Sequence, residues 1–276
     1  MDETKIQRMA LNMREKILEV SHHCNLSTHL GGGLSMVEIT ATLYGAVLKY
    51  DRHDPAWDGR DRFILSKGHG VLGLFSALMV SGIISEEVFF SFQSNESDLI
   101  AHPVMNIPLG IEASNGSLGQ GLSMAVGLAF AAKLKNMPHK IYVLLGDGEC
   151  NEGAVWEGAM LAAQLKLDNL VAIIDHNKLQ SDGASECIIN LDDLAQKWRS
   201  FGWHASEVDG HCIRTLYQTL TESPPRDGPK VVVAHTIKGK GISFMENNNE
   251  WHHNRLTKAQ YDRAIEELTG VNIAAH

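Results

Sequence analysis

Four short runs of apolar, largely β-branched residues set the strongest limit on the fold of this chain. In each run the apolar residues are consecutive rather than alternating, which is typical of strands buried on both faces of a sheet. Segments with helical periodicity separate the runs. This alternation predicts an α/β fold with a mostly parallel sheet flanked by helices on both faces. The runs are residues 62–65, 141–145, 170–174 and 231–234.

The remaining pattern predicts one domain over residues 1–276. A weaker strand is expected at 202–208, and the polar stretch 92–121 is expected to form a functional loop. The glycine- and asparagine-rich tract 238–256 is expected to form a lid, and residues 257–268 a carboxy-terminal helix capped by Thr257. The predicted helices between the strands are 33–48, 69–81, 118–135, 152–165, 190–201 and 211–223.

The charge balance argues against nucleic-acid binding. The chain has 33 Asp and Glu against 24 Lys and Arg, a net charge of -9, whereas nucleic-acid binders carry a basic surface. The longest apolar stretch, 71–84, is shorter than the ~20 residues that cross a bilayer. The amino terminus lacks the apolar centre of a secretory signal. We therefore expect a cytoplasmic protein without a membrane span. Its four cysteines form no CxxC pair, which predicts free thiols rather than disulfides or a zinc site.

The clearest chemical signal is a pair of polar strand ends. One predicted strand ends in Gly146-Asp147-Gly148, and 28 residues separate Gly148 from Asn177 at the end of the next. Parallel strands bring their carboxyl ends to one edge of the sheet, where ligands bind. A carboxylate and an amide oxygen suit a hard divalent cation, and glycines before a helix allow a phosphate to approach the backbone. Gly-Asp-Gly alone is also a common turn, but Asn177 favours a magnesium-diphosphate site.

Together with other segments, this signature resembles the transketolase family. The spacing from Gly148 to Asn177 looks like the thiamine-diphosphate signature, and the other segments follow the family order from about residue 20 to 256. The segments that carry the resemblance are Ser27-Thr28-His29-Leu30-Gly31, Ser66-Lys67-Gly68-His69-Gly70, Gly116-Ser117-Leu118-Gly119-Gln120-Gly121, Glu152-Gly153 and Trp251-His252.

The resemblance implies a thiamine-diphosphate-binding fold and one part of an enzyme. A full transketolase continues with pyrimidine-binding and carboxy-terminal domains, so the resemblance implies a split enzyme whose second chain carries both, as a heterotetramer of two copies of each. The implied reaction transfers a two-carbon ketol unit from a ketose, or its phosphate, to an aldose. The implied cofactors are thiamine diphosphate and Mg²⁺, with Ca²⁺ or Mn²⁺ as other candidate cations.

The resemblance also implies roles for individual residues. The metal ligands would be Asp147, Asn177 and the backbone carbonyl of Leu179. Histidines that line the substrate channel would be His29, His102 and His252, and His69 would face the reacting part of the cofactor with them. Glu152 and Glu157 would link the two active sites at the subunit interface, and these six residues form the implied catalytic set. The cofactor contacts would be His69, Gly116, Ser117, Leu118, Gly148, Asn177 and His252.

Some positions depart from the family pattern. Leu30 and Ser117 replace usual prolines, Val104 replaces a usual glutamate after His102-Pro103, and Lys240 replaces a frequent aromatic residue. These changes leave open whether the substrate is a common pentose or hexose phosphate or a branched or sulfonated sugar. Three other interpretations remain: the alpha-type chain of a 2-oxo acid dehydrogenase, a deoxyxylulose-phosphate synthase fragment, and a non-catalytic regulatory protein.

Overall fold

The apolar runs form a five-stranded parallel sheet at the centre of the protein. The computed structural model describes residues 1–223 and 227–270; the rest of the predicted 1–276 domain, 224–226 and 271–276, lies outside the described residues. The sheet order is β2-β3-β4-β6-β5, with every neighbouring pair parallel. A separate two-stranded sheet pairs β1 with β7. The strands are β1 (Ser27–Thr28), β2 (Arg62–Leu65), β3 (Ile141–Gly146), β4 (Leu170–His176), β5 (His204–Asp209), β6 (Lys230–His235) and β7 (Asn254–Arg255).

Helices cover both faces of this sheet, as the sequence predicts. Alternate residues of each strand enter different hydrophobic clusters: Leu144 and Ile173 face the cluster around α1, whereas Val143 and Ala172 face the cluster with α6 and α7. The helices are α1 (Glu3–Cys24), α2 (Leu30–Ser35), α3 (Val37–Thr42), α4 (Val71–Val80), α5 (Glu86–Phe90), α6 (Gln120–Leu134), α7 (Gly153–Gln164), α8 (Ser185–Ile188), α9 (Leu194–Ser200), α10 (Ile213–Thr221) and α11 (Lys258–Thr269).

Two expectations differ in detail from the structure. The single helix predicted over 33–48 is divided into α2, α3 and a π-helical turn at Leu43–Val47, with Met36 outside helical geometry between the first two. The 238–256 tract packs well: Ile242, Met245 and Trp251 are at most 3% exposed. Its role as a lid stays a prediction. No helix in the described parts of the chain is long and apolar enough to cross a bilayer.

The carboxy-terminal helix forms as predicted. Thr257 accepts a hydrogen bond from the Gln260 backbone, and the Gln260 side chain accepts one from the Thr257 backbone, which completes a capping box. The apolar side of α11 packs on α1 through Ala264 and Ile265. The two ends of the described chain therefore lie against each other.

Candidate active site

Asp147 and Asn177 meet at the carboxyl edge of the sheet. Gly146 and Asp175 are register partners on β3 and β4, so the residues that follow them emerge side by side. Asp147, Asn177 and Leu179 line one cavity of about 400 Å³. Asp147 Oδ2 accepts hydrogen bonds from the Lys178 backbone N–H at 2.8 Å and from Ser185 Oγ at 3.0 Å. The structure thus brings together the three residues predicted as metal ligands.

The chemistry of these oxygens fits a hard cation. Burial, and then the negative charge of Asp175, raises the pKa of Asp147, and a bound divalent cation would offset both effects. Carboxylate, amide and carbonyl oxygens are the donors that Mg²⁺ prefers. Among the described residues, no three His, Cys, Asp or Glu side chains form a metal-binding group. A site here therefore depends on the Asn177 amide and the Leu179 carbonyl beside one carboxylate.

The floor of the site is a buried ion pair that the sequence analysis did not single out. Lys67 is 1% exposed and Asp175 0%, and the ammonium of Lys67 bonds to the Asp175 carboxylate and, at 2.9 Å, to the Gly32 carbonyl. Burial raises the pKa of Asp175, but the charge and hydrogen bond of Lys67 outweigh it and lower that pKa overall. Asp175 directly follows the predicted strand 170–174, and Lys67 lies two residues after the predicted strand 62–65, in a segment that carries the family resemblance. Neither signal indicated that the two side chains pair.

Glu149 joins three of the loops around the site. Its carboxylate accepts hydrogen bonds from the backbone N–H groups of Gly119 at 2.8 Å and Gly146 at 3.1 Å, and also from Ser66 Oγ. One buried side chain therefore connects the loop after β2, the loop before α6 and the loop after β3. Burial raises the pKa of Glu149 despite these hydrogen bonds.

The four predicted histidines form one cluster. The ring centre of His29 lies 5.5 Å from that of His69, 5.8 Å from His102 and 5.4 Å from His252, and His69 and His252 are 5.4 Å apart. His253, to which the sequence analysis assigned no role, also joins the cluster. Its ring centre lies 4.4 Å from that of His29, the shortest of these distances. The pairing of β1 with β7 explains this, because Thr28 opposes Asn254.

Small residues allow this close packing. A Cβ on Gly32 would lie 3.3 Å from the His69 ring, and one on Gly68 would lie 2.6 Å from the Asn115 carbonyl. His69 itself lies in a 3-10 turn between Gly68 and Gly70, which begins three residues after the last residue of β2. The absence of a side chain at Gly68, one of the two glycines that flank His69, thus allows the neighbouring loop with Asn115 to pack close to His69.

Three histidines of the cluster, His29, His69 and His252, are uncharged near pH 7. Burial, followed by the neighbouring imidazoles, lowers the pKa of His29 to about 3. Burial and then the Lys238 charge lower the pKa of His252 to about 4, and burial with the Lys67 charge lowers that of His69. Neutral imidazoles can each donate one hydrogen bond and accept another.

Lys238 connects the histidine cluster with the metal edge. Its ammonium lies 2.8 Å from His252 Nδ1, 3.1 Å from the Gln180 carbonyl and 3.4 Å from the Leu179 carbonyl. Burial and then the Lys67 charge lower the pKa of Lys238 to about 8, so it is mostly protonated at pH 7. The charge of Lys238 thus favours an anionic group between the histidines and the metal edge, whereas the charge of Lys67 is balanced by Asp175.

The remaining predicted residues lie at the rim. A Cβ on Gly116 would lie 3.5 Å from the His102 ring. Ser117, which follows in that loop, is exposed and Leu118 is half-buried. Glu152 caps the start of α7, and its Cβ lies 2.8 Å from the place a Cβ would take on Gly119. Glu157 is exposed on the same helix. Gly148 packs against the Gln180 side chain.

A family model described as "Transketolase, thiamine diphosphate binding domain" matches residues 9–274. The chain is also 43% identical over 264 residues to an apulose-4-phosphate transketolase subunit of Actinobacillus succinogenes, with 96% of each protein covered. The chain belongs to the transketolase family. The predicted family and enzyme class, a thiamine-diphosphate-dependent transketolase chain, are confirmed by these matches.

A second transketolase subunit matches along most of its length, whereas full-length transketolases match over about two fifths of theirs. A 6-deoxy-6-sulfo-D-fructose transketolase subunit of Clostridium sp. is 41% identical over 87% of this chain and 88% of its own. Human transketolase is 36% identical over 88% of this chain but 38% of its own. The transketolase structure from Campylobacter jejuni superimposes with a TM-score of 0.90 at 30% identity, over 97% of this chain and 43% of that one. This transketolase chain therefore spans about two fifths of the solved enzymes, and the assignment of each site residue stays a prediction.

Proposed function

We propose that this chain is the amino-terminal subunit of a split transketolase. With a partner chain it would transfer a two-carbon ketol unit from a ketose, or its phosphate, to an aldose, using thiamine diphosphate and Mg²⁺. The observation that supports this best is the continuity of the site through Lys238, which contacts both His252 and the Leu179 carbonyl. One elongated ligand could therefore reach from the metal edge to the histidine cluster.

The residues at the metal edge fit the charged end of the cofactor. Asp147, Asn177 and the Leu179 carbonyl would hold Mg²⁺, while Lys238 would face the diphosphate charge. Gly148 offers backbone without a side chain at the edge, and Gly116, Ser117 and Leu118 would contact the cofactor from the rim. When bound, thiamine diphosphate supplies the carbon nucleophile and the electron sink for breaking and forming carbon–carbon bonds.

The histidines would handle the oxygens and protons of the sugar. Since the ammonium of Lys238 donates to His252 Nδ1, the proton of neutral His252 lies on Nε2, which is free to donate. The imidazoles of His29, His69 and His102 offer further donors and acceptors around it. They would stabilise a developing alkoxide and carry protons to and from the sugar hydroxyls.

An apolar surface supports the need for a partner. On the adjacent helices α6 and α7, Leu128 is 37% exposed, Leu134 67%, Met160 52% and Leu161 50%. Exposed apolar surface of this kind is typical of protein interfaces. Glu157 is exposed on α7 and Glu152 caps its start, so both acids would lie near the proposed interface.

The relatives support a division into two chains. Three relatives that match this chain along 96%, 88% and 91% of their length are named as transketolase subunits. The proposed partner carries the pyrimidine-binding and carboxy-terminal domains, and two copies of each chain form a heterotetramer. A cytoplasmic location stays a prediction of the sequence.

A labelled-sugar assay tests the reaction. The chain is purified from its native cells with whatever co-purifies, and is incubated with an aldose acceptor and ketoses labelled with ¹³C at C1 and C2. Because the split relatives are named for apulose-4-phosphate and 6-deoxy-6-sulfo-D-fructose, the donors should include phosphorylated and sulfonated ketoses beside ordinary pentose phosphates.

We expect the label to appear in a product two carbons longer than the acceptor, and only with thiamine diphosphate and Mg²⁺ present. Asp147→Ala should abolish this transfer, whereas Asp192→Ala, an exposed acid near the same edge, should retain it. Oxidative decarboxylation of a 2-oxo acid instead would identify part of a dehydrogenase. If the pure chain neither binds cofactor nor transfers carbon, a regulatory role would be supported.

A further inference from the structure

A buried network contacts the turn that carries Lys238. It joins Arg14 of α1, Glu38 of α3 and His211, which precedes α10. The Arg14 guanidinium bonds to both carboxylate oxygens of Glu38, at 2.5 and 2.7 Å, and His211 Nδ1 lies 2.8 Å from Glu38 Oε2. Arg14 is 7% exposed and Glu38 8%.

This network holds the Lys238 turn at both of its ends. The Ile237 backbone N–H donates to His211 Nε2 at 2.9 Å, and Arg14 Nε donates to the Lys240 carbonyl at 3.1 Å. The contact with Arg14 is close enough to require glycine at 241, where φ is +99° and a Cβ would lie 2.8 Å from Arg14 Nε. Lys238 lies between these two anchor points.

The hydrogen bonds determine the protonation of the network. Because the Ile237 N–H is a donor, His211 Nε2 must be an acceptor and carries no proton. Nδ1 then carries the proton and donates it to the Glu38 carboxylate, so His211 is neutral. Burial raises the pKa of Glu38, but the hydrogen bonds of His211 and Arg14 outweigh this effect and lower the pKa to about 2. Glu38 therefore stays ionised and keeps His211 in the tautomer that accepts from Ile237.

We infer that His211 is a positioning residue, which fixes the Lys238 turn so that the Lys238 ammonium meets the diphosphate of the cofactor. This inference rests on the proposed function. His211 touches the turn and not the histidine cluster, so its effect is expected in cofactor affinity rather than in the rate of the loaded enzyme.

Two amide substitutions distinguish the hydrogen bond that His211 accepts from Ile237 from the volume that its side chain fills. The Asn amide in His211→Asn reaches only the place of Nδ1, so it keeps the bond to Glu38 and loses the acceptor for Ile237. The longer side chain in His211→Gln reaches the place of Nε2 and restores that acceptor. Arg14→Lys keeps a charge beside Glu38 but loses the bond from Nε to the Lys240 carbonyl. His22→Gln serves as control, because His22 stacks on Tyr261 outside this network.

Each variant is co-expressed with the protein that co-purifies with this chain, and thiamine diphosphate is titrated into the complex by calorimetry at saturating Mg²⁺. We expect His211→Asn and Arg14→Lys to raise the Kd about fivefold, as for one lost hydrogen bond. His211→Gln should bind within about twofold of wild type, and His22→Gln should be unchanged. At saturating cofactor, kcat should be close to wild type for all four.

The inference is overturned if a folded His211→Asn complex binds thiamine diphosphate as tightly as wild type. It is also overturned if the Asn and Gln variants lose affinity equally and in proportion to a fall in Tm, since His211 would then be only structural. If His211→Asn does not fold, an unchanged Kd for Arg14→Lys overturns the inference instead. Failure of the proposed function looks different, because the wild-type complex itself would then bind no thiamine diphosphate.

Discussion

Replacing Lys67 by methionine should destabilise the protein through the carboxylate it leaves behind. Lys67 and Asp175 are 1% and 0% exposed and form the ion pair under the site. Methionine fills much of the volume of lysine but removes its charge. Asp175 would then keep its hydrogen bonds from Ser35 at 2.5 Å, Asn177 at 3.2 Å and Thr236, but no cation.

The size of the effect follows from burial. Breaking a buried ion pair by removing one partner costs about 3–5 kcal/mol. The three remaining hydrogen bonds of Asp175 favour the lower end, about 3 kcal/mol, which corresponds to a fall in Tm of about 5 °C for a domain of this size. In the double variant Lys67→Met/Asp175→Asn no charge remains buried, so most of the loss should be recovered.

Thermal unfolding followed by circular dichroism measures this directly. Lys133→Met is the matched control, since Lys133 forms an ion pair with Asp168 at 2.8 Å but both side chains are more than 40% exposed. An exposed pair contributes less than about 1 kcal/mol, so Tm should change little. Equal shifts for Lys67→Met and Lys133→Met, or no recovery in the double variant, would refute the argument that the buried charge is responsible.

Three further results follow from the site and the network. Asp147→Ala should abolish Mg²⁺-dependent retention of thiamine diphosphate while leaving the circular dichroism spectrum unchanged, and unaltered calorimetric binding would remove Asp147 from the metal site. His69→Ala should lower turnover by about tenfold or more. A variant with the wild-type rate would show that His69 has no role in the reaction. Glu38→Gln should lower the free energy of unfolding by about 3 kcal/mol at pH 7. Because the folded-state pKa of Glu38 is depressed to about 2, this difference should be full above its ordinary pKa and shrink as pH falls towards 2; a difference independent of pH would contradict it.

Local sequence was sufficient for the sheet and for the meeting of Asp147 and Asn177 at its edge. The β2 run begins and ends where the prediction had it, and the strands that end near Asp147 and Asn177 are neighbours in the same register. Consecutive apolar residues indicate a strand that is buried on both faces of the sheet. Glycine, aspartate and histidine directly after such a run indicate where the strand ends. The clustering of His29, His69, His102 and His252 followed from the family resemblance rather than from spacing.

Long-range pairing explains what the sequence analysis missed. Lys67 and Asp175 are 108 positions apart, so neither marks the other in the sequence. His253 reaches His29 because β1 and β7 pair over two residues each, which is too short for a periodic signal. The predicted 33–48 helix is interrupted at Met36, where the sequence contains no proline that would have indicated a break.

The central claim is that two-carbon transfer needs this chain together with a second one. The direct measurement is the rate of ketol transfer for the isolated chain, the isolated partner and their mixture, each with saturating thiamine diphosphate and Mg²⁺. We expect transfer in the mixture and none in either chain alone. Transfer by the isolated chain, or a mixture that binds the cofactor yet transfers no carbon, would contradict it.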